Sequence, residues 1–110
     1  MESKSAVTAL GALAHETRLQ IFRLLVRAGA PGLSVGKIAE ALQIEANGRL
    51  TFHLKELVAA GLAGSRQEGR FVFYSTNFGA MNELLRYLTE DCCGGLGCGD
   101  DVFLADPPAD

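Results

Sequence analysis

The period of the hydrophobic pattern changes twice along this chain, and that order limits the folds open to it. Apolar residues recur at helical spacing from Val7 to Val58, give way to the β-branched and aromatic run Arg70–Thr76, and resume helical spacing from Met81 to Leu88. A helical body interrupted once by a short sheet is the architecture that accommodates this. Val7, Leu10 and Leu13–Ala14 predict a first helix over residues 5–15. Leu19, Phe22, Leu25 and Val26, with Ile21 and Leu24 broadening the face, predict a second over 16–28, ended by Gly29, Pro31 and Gly32. Ser34 stands where an N-cap belongs, ahead of a short third helix with Ile38, Ala39 and Leu42 as its buried stripe. Leu50, Leu54, Leu57 and Val58 share one face of a fourth helix over 47–60, which Gly61 stops. Leu62–Arg66 and Arg70–Thr76 flank Gln67-Glu68-Gly69 as a β-hairpin. A last helix starts near Asn77, carries Met81, Leu84, Leu85 and Leu88, and runs up to the cysteines.

Two short helices joined by a tight turn and followed by a hairpin make a winged helix-turn-helix: mainly α, with a β-hairpin wing. At 110 residues, 48% hydrophobic and 21% charged, the chain suits one globular domain that gains from dimerisation. Residues 1–91 are read as a DNA-binding and dimerisation domain and 92–110 as a cysteine-containing acidic tail, disordered or loosely docked from residue 99 onward. No apolar run reaches the length of a membrane span, so no membrane partner is expected. The segment 5–14 continues as a helix through Glu16 and Arg18, unlike a signal peptide.

The net charge of −3 conceals an uneven distribution. Residues 1–89 hold all 10 basic and 7 of the 13 acidic residues, for +3, while residues 90–110 hold the remaining 6 acidic residues and no basic one, for −6. The folded body is therefore free to present a positive face to nucleic acid. On the fourth helix, Asn47, Arg49, Thr51, Phe52, His53 and Lys55 are the candidate DNA-binding residues, with Arg66 and Arg70 on the wing. Asn and Arg suit bidentate base contacts, and Thr, Lys and His suit bases or phosphates. For His53, DNA contact and local hydrogen bonding are both open; His15 is read as structural. No Ser-His-Asp set, phosphate loop or paired-carboxylate pattern is present, and a cysteine nucleophile would lack a nearby histidine base. An enzyme is not expected, nor a catalytic cofactor.

All three cysteines fall in Cys92-Cys93-Gly94-Gly95-Leu96-Gly97-Cys98. Soft sulfur donors select thiophilic ions. Trivalent arsenic or antimony is satisfied by three sulfurs, its lone pair taking the fourth position. Zinc usually wants four ligands, and only Asp100, Asp101 or water could complete its set here. Arsenite or antimonite is thus favoured as the inducer. A thiol redox switch and a zinc or cadmium sensor are the alternatives. On an intact helix, neighbouring side chains diverge by about 100°, so Cys92 and Cys93 are expected to converge on one ion only if the last turn reshapes, with the glycines letting Cys98 fold back. An odd number of clustered cysteines is no disulfide framework and suits a reducing cytoplasm.

Leu13-Ala14-His15-Glu16-Thr17-Arg18-Leu19-Gln20-Ile21-Phe22-Arg23-Leu24-Leu25 resembles the second-helix signature of the ArsR/SmtB family of metal-sensing repressors. Leu50-Thr51-Phe52-His53-Leu54-Lys55-Glu56-Leu57 with Ala60-Gly61-Leu62 is similar to that family's recognition helix and its exit, and Gln67-Glu68-Gly69-Arg70 with Tyr74 to its wing. The resemblance covers about residues 8–93. It implies a bacterial, cytoplasmic homodimer joined through its first and last helices, holding two-fold-symmetric double-stranded operator DNA and releasing it on metal binding. The family's Cys-Val-Cys site has no match in Leu33-Ser34-Val35-Gly36-Lys37, and its last-helix zinc site would need histidines that Phe78 to Glu90 lack. Thr89-Glu90-Asp91-Cys92-Cys93 resembles the last-helix end of an arsenite-responsive subgroup, which implies Cys92, Cys93 and Cys98 as the metalloid ligands.

Overall fold

The computed structural model describes residues 1–95; Cys98, Asp100, Asp101 and the rest of the expected tail lie outside the described residues. Five helices and a three-stranded sheet follow in the order α1 (Ser3–Leu13), α2 (Glu16–Ala28), β1 (Leu33–Ser34), α3 (Val35–Leu42), α4 (Gly48–Ala59), β2 (Ala63–Glu68), β3 (Phe71–Thr76) and α5 (Phe78–Thr89), with a 3-10 turn at Cys92–Gly95. This is the expected winged helix-turn-helix. Ile21, Leu25, Ile38, Leu54 and Leu57 are fully buried where α2, α3 and α4 meet, and Leu62 closes the core beneath the sheet.

α1 buries a different stripe from the expected one. Ala6, Ala9 and Ala12 face the core, while Val7 and Leu10 are 65% and 42% exposed. Alanine has no side chain beyond Cβ, so this face lets α1 lie close against α2, α4 and α5. Val7 and Leu10 then point outward, as Leu88 does on α5 at 54% exposure, while Leu13 of the expected stripe packs partly buried against the core.

The sheet order is β1-β3-β2, antiparallel throughout. β2 runs two residues further than expected, to a Glu68↔Phe71 pair, so the wing turns on Gly69-Arg70 alone. Gly69 takes a left-handed φ of 62°, which glycine adopts without a Cβ penalty. β1 was not expected. Its two residues pair with β3 through Leu33↔Tyr74 and Ser34↔Phe73, tying the base of the wing to the start of α3. Ser34 serves both elements, because its hydroxyl also accepts the Lys37 backbone N–H at 3.3 Å and so caps α3.

Asn77 caps α5, its Oδ1 accepting the Ala80 N–H at 3.1 Å. Its Nδ2 donates to the Gly61 carbonyl at 3.1 Å and its backbone N–H to the Leu62 carbonyl at 2.9 Å. α5 stops at Thr89, short of the cysteines. Among the described residues, no helix is long and apolar enough to cross a membrane.

Candidate functional site

α4 turns Leu50, His53, Leu54 and Leu57 into the core. Gly48, Phe52, Lys55 and Ala59 occupy the opposite face and are all exposed, with exposed Arg49 and half-buried Thr51 along its edges. Helical geometry thus sorts the residues predicted to bind DNA. Arg49, Phe52 and Lys55 face outward, and Thr51 lies at the margin.

Asn47 and His53 have other roles here. The amide oxygen of Asn47 accepts the Arg49 and Leu50 backbone N–H groups at 3.0 and 3.2 Å and so caps α4. Its Nδ2 is 3.5 Å from Glu45 Oε1. His53 is only 7% exposed, and of its two expected roles the structure shows local hydrogen bonding: its Nδ1 accepts from Arg18 Nε at 3.1 Å. The imidazole lies 4.6 Å from the His15 ring and 5.9 Å from the Phe52 ring. In this arrangement His53 is buried against α2.

Arg18 is the residue that sequence reasoning missed. From α2 it bonds His53, and its guanidinium carbon lies 5.7 Å from the Phe52 ring centroid, a cation–π contact onto the recognition helix. The only available signal was the helical proximity of His15 and Arg18 within His-Glu-Thr-Arg. A cleft of about 350 Å³ opens between Thr17 of α2 and Asn47, Arg49 and His53 at the start of α4.

Burial, then the neighbouring charges of His15, Arg18 and Arg49, hold the His53 pKa below its ordinary value, with Glu56 opposing them. A depressed histidine pKa means that the native state resists a proton the unfolded chain accepts. The contribution of His53 is therefore fully present above the unfolded pKa of about 6.5 and is lost as pH falls through the lower folded value. Protonation also removes the Nδ1 lone pair that receives Arg18. In urea titrations from pH 7.5 to 5, the wild type should lose stability more steeply than His53→Gln; equal slopes would refute this role.

On the wing, Arg66 Nε pairs with Glu68 Oε2 at 2.7 Å and its guanidinium stacks 5.1 Å from the Phe73 ring centroid. Arg70 is exposed in the turn. Arg70 thus sits at the tip of the wing, and Arg66 lies along β2 opposite Phe73 with part of its charge offset.

The cysteine pair departs from the helix expected to carry it. Cys92 and Cys93 lie in the 3-10 turn beyond α5, with left-handed φ values at Asp91 (58°), Cys93 (57°) and Gly94 (63°). The anticipated divergence on an intact helical turn does not arise. The two Sγ atoms are 3.7 Å apart. Among the described residues there is no group of three or more potential metal-ligating side chains. The predicted third ligand, Cys98, is outside that range.

Residues 13–63 match the model of a family described as a helix-turn-helix domain. The transcriptional activator HlyU of Vibrio cholerae serotype O1 is 40% identical over 89 residues, spanning 78% of this chain and 79% of that protein. The structure of HlyU from Vibrio cholerae N16961 superposes with a TM-score of 0.61 at 38% identity, over 80% of this chain and 97% of that one. A structure described as reduced HlyU gives 0.60 at 38% identity, over 78% and 90%. A homodimeric winged helix-turn-helix DNA-binding domain from Mycobacterium bovis, a possible ArsR-family regulator, gives 0.62 at 25% identity, over 80% and 81%. With the wing and recognition helix in place and a relative this similar over most of its length, the chain belongs to the ArsR-like winged-helix family of transcriptional regulators that includes HlyU.

Proposed function

We propose that this regulator is a homodimeric repressor that holds two-fold-symmetric operator DNA and releases it when trivalent arsenic, as arsenite, binds Cys92, Cys93 and Cys98. Antimonite fits the same chemistry. The observation that carries the reading is that Cys92 and Cys93 stand together at the end of α5, their sulfurs 3.7 Å apart; once reduced, two such thiols can share one thiophilic ion. In the reduced protein, arsenous acid exchanges its three hydroxyls for three thiols and releases three waters, with no change of oxidation state.

α1 and α5 offer the dimer surface through Val7, Leu10 and Leu88, and the Mycobacterium bovis relative is described as homodimeric. Placing the ion at the end of an interface helix couples it to the spacing of the two recognition helices. Allosteric couplings of about 1–3 kcal/mol correspond to roughly 5–150-fold weaker DNA binding.

The test uses a duplex selected from a random library by the reduced full-length protein. Arsenite should weaken wild-type binding within that range, and Cys92→Ser and Cys93→Ser should abolish the response. Release that persists in both variants would place the sensor elsewhere. HlyU is named an activator, so occupancy of DNA is the readout to use, because it does not depend on the sign of regulation.

A redox reading is favoured by one observation, that a HlyU relative is described in a reduced form. There, two thiols would pass two electrons and two protons to a peroxide, leaving a disulfide and two waters (or water and an alcohol). Release by peroxide without release by arsenite would select this reading.

A further inference from the structure

We propose that Phe52 is a base-reading residue that packs on the 5-methyl group of thymine in the major groove; this rests on the DNA-binding function above. Gly48, Phe52, Lys55 and Ala59 are the exposed residues directly opposite the buried stripe of α4, and Phe52 lies mid-way along them. The part of the helix that would enter a groove most deeply is therefore an aromatic ring, 53% exposed, and Gly48 before it is too small to hold the backbone away. The hydrogen-bonding residues that sequence alone brings forward are displaced from this line: Asn47 caps, His53 is buried, and Arg49 and Thr51 stand at the edges.

A ring has no directional donor or acceptor for a base edge. Among the groups the four bases present in the major groove, only the thymine methyl is apolar. Burying that methyl against Phe52 removes both from water without leaving a polar group unpaired.

The ring is also held in place. The Arg18 guanidinium carbon is 5.7 Å from its centroid and is itself fixed by the 3.1 Å bond to His53, whose ring lies 5.9 Å from that of Phe52. Arg18, Arg49 and Lys55 surround the apolar patch with positive charge, which suits a groove lined by phosphates better than the apolar surface of a protein partner.

The experiment takes the selected duplex and replaces each thymine in turn by deoxyuridine, which deletes only the methyl group. For the wild type, one symmetry-related pair of replacements should weaken binding by about fourfold per half-site and about 15-fold when both are made, as expected for losing one buried methyl at each. Phe52→Ala should bind the thymine and deoxyuridine duplexes equally, with its salt dependence kept, and Phe52→Leu should retain part of the preference. Wild-type indifference at every thymine, a selected site without thymine, or discrimination that survives in Phe52→Ala would overturn the assignment. Failure to select any duplex would instead overturn the DNA-binding function itself.

Discussion

Gly32→Ala should lower the melting temperature by about 10–20 °C, the largest loss expected from adding a single methyl group to this chain. Gly32 has a φ of +72°, where an L-residue costs about 1–2 kcal/mol. A Cβ there would lie 2.2 Å from the Tyr74 carbonyl oxygen, and relieving such an overlap by moving packed backbone costs about 1–3 kcal/mol more. A total of about 3 kcal/mol corresponds to the stated shift for a domain of this size. Gly61 separates the two contributions. Its φ is +82°, but nothing lies within 4 Å of the added carbon, so Gly61→Ala should cost only the conformational part. Equal thermal shifts, read by far-ultraviolet circular dichroism, would show that the approach to Tyr74 is unimportant. The close approach has a clear origin: Gly32 precedes β1, whose Leu33 pairs with Tyr74.

The combined substitution Val7→Glu and Leu10→Glu should convert the proposed homodimer to monomer and weaken operator binding by about 10²–10⁴-fold. Ala6, Ala9 and Ala12 carry α1's contacts to its own core, so the exposed positions can change without unfolding the domain. Like charges brought together across the two-fold axis would oppose association. A monomer also loses the high effective concentration that linkage gives its second half-site, worth about 10²–10⁴ in avidity. Sedimentation velocity together with binding to the selected duplex checks both parts. A stable dimer with unchanged affinity would remove α1 from the interface.

Helices α2 to α4 were legible because strong local signals agreed with most of the tertiary packing, although Leu19, expected on the buried face of α2, is 43% exposed. The expected span 16–28 for α2 coincides with Glu16–Ala28, Ser34 caps α3 as expected, and the stripe Leu50, Leu54 and Leu57 is the buried face of α4. α1 was misread because a hydrophobic pattern weights Val7 and Leu10 above alanine, whereas tight packing there favours Ala6, Ala9 and Ala12. β1 has too few residues to display a period of two, and its existence depends on Tyr74 about forty positions later. Residue type alone also could not distinguish Asn47 as a cap from Asn47 as a base reader. That distinction depends on where α4 begins. The end of α5 before Cys92 has no glycine or proline to announce it; Asp91 reverses the chain with a left-handed φ of 58°. Arg18 was hidden for a different reason: its meaning comes from the 35-residue separation to His53.

Asn77 makes α5 a lever with a defined fulcrum. Its side chain grips Gly61 and its backbone grips Leu62, so the near end of the rod is pinned to the exit of α4. Twelve helical residues extend about 18 Å from that pin to Thr89. A sideways displacement of about 1 Å at the cysteine end therefore tilts the rod by only about 3°. What such a tilt would deliver to α4 through this joint is mainly torque, with the displacement greatest at the far end, near outward-facing residues such as Leu88.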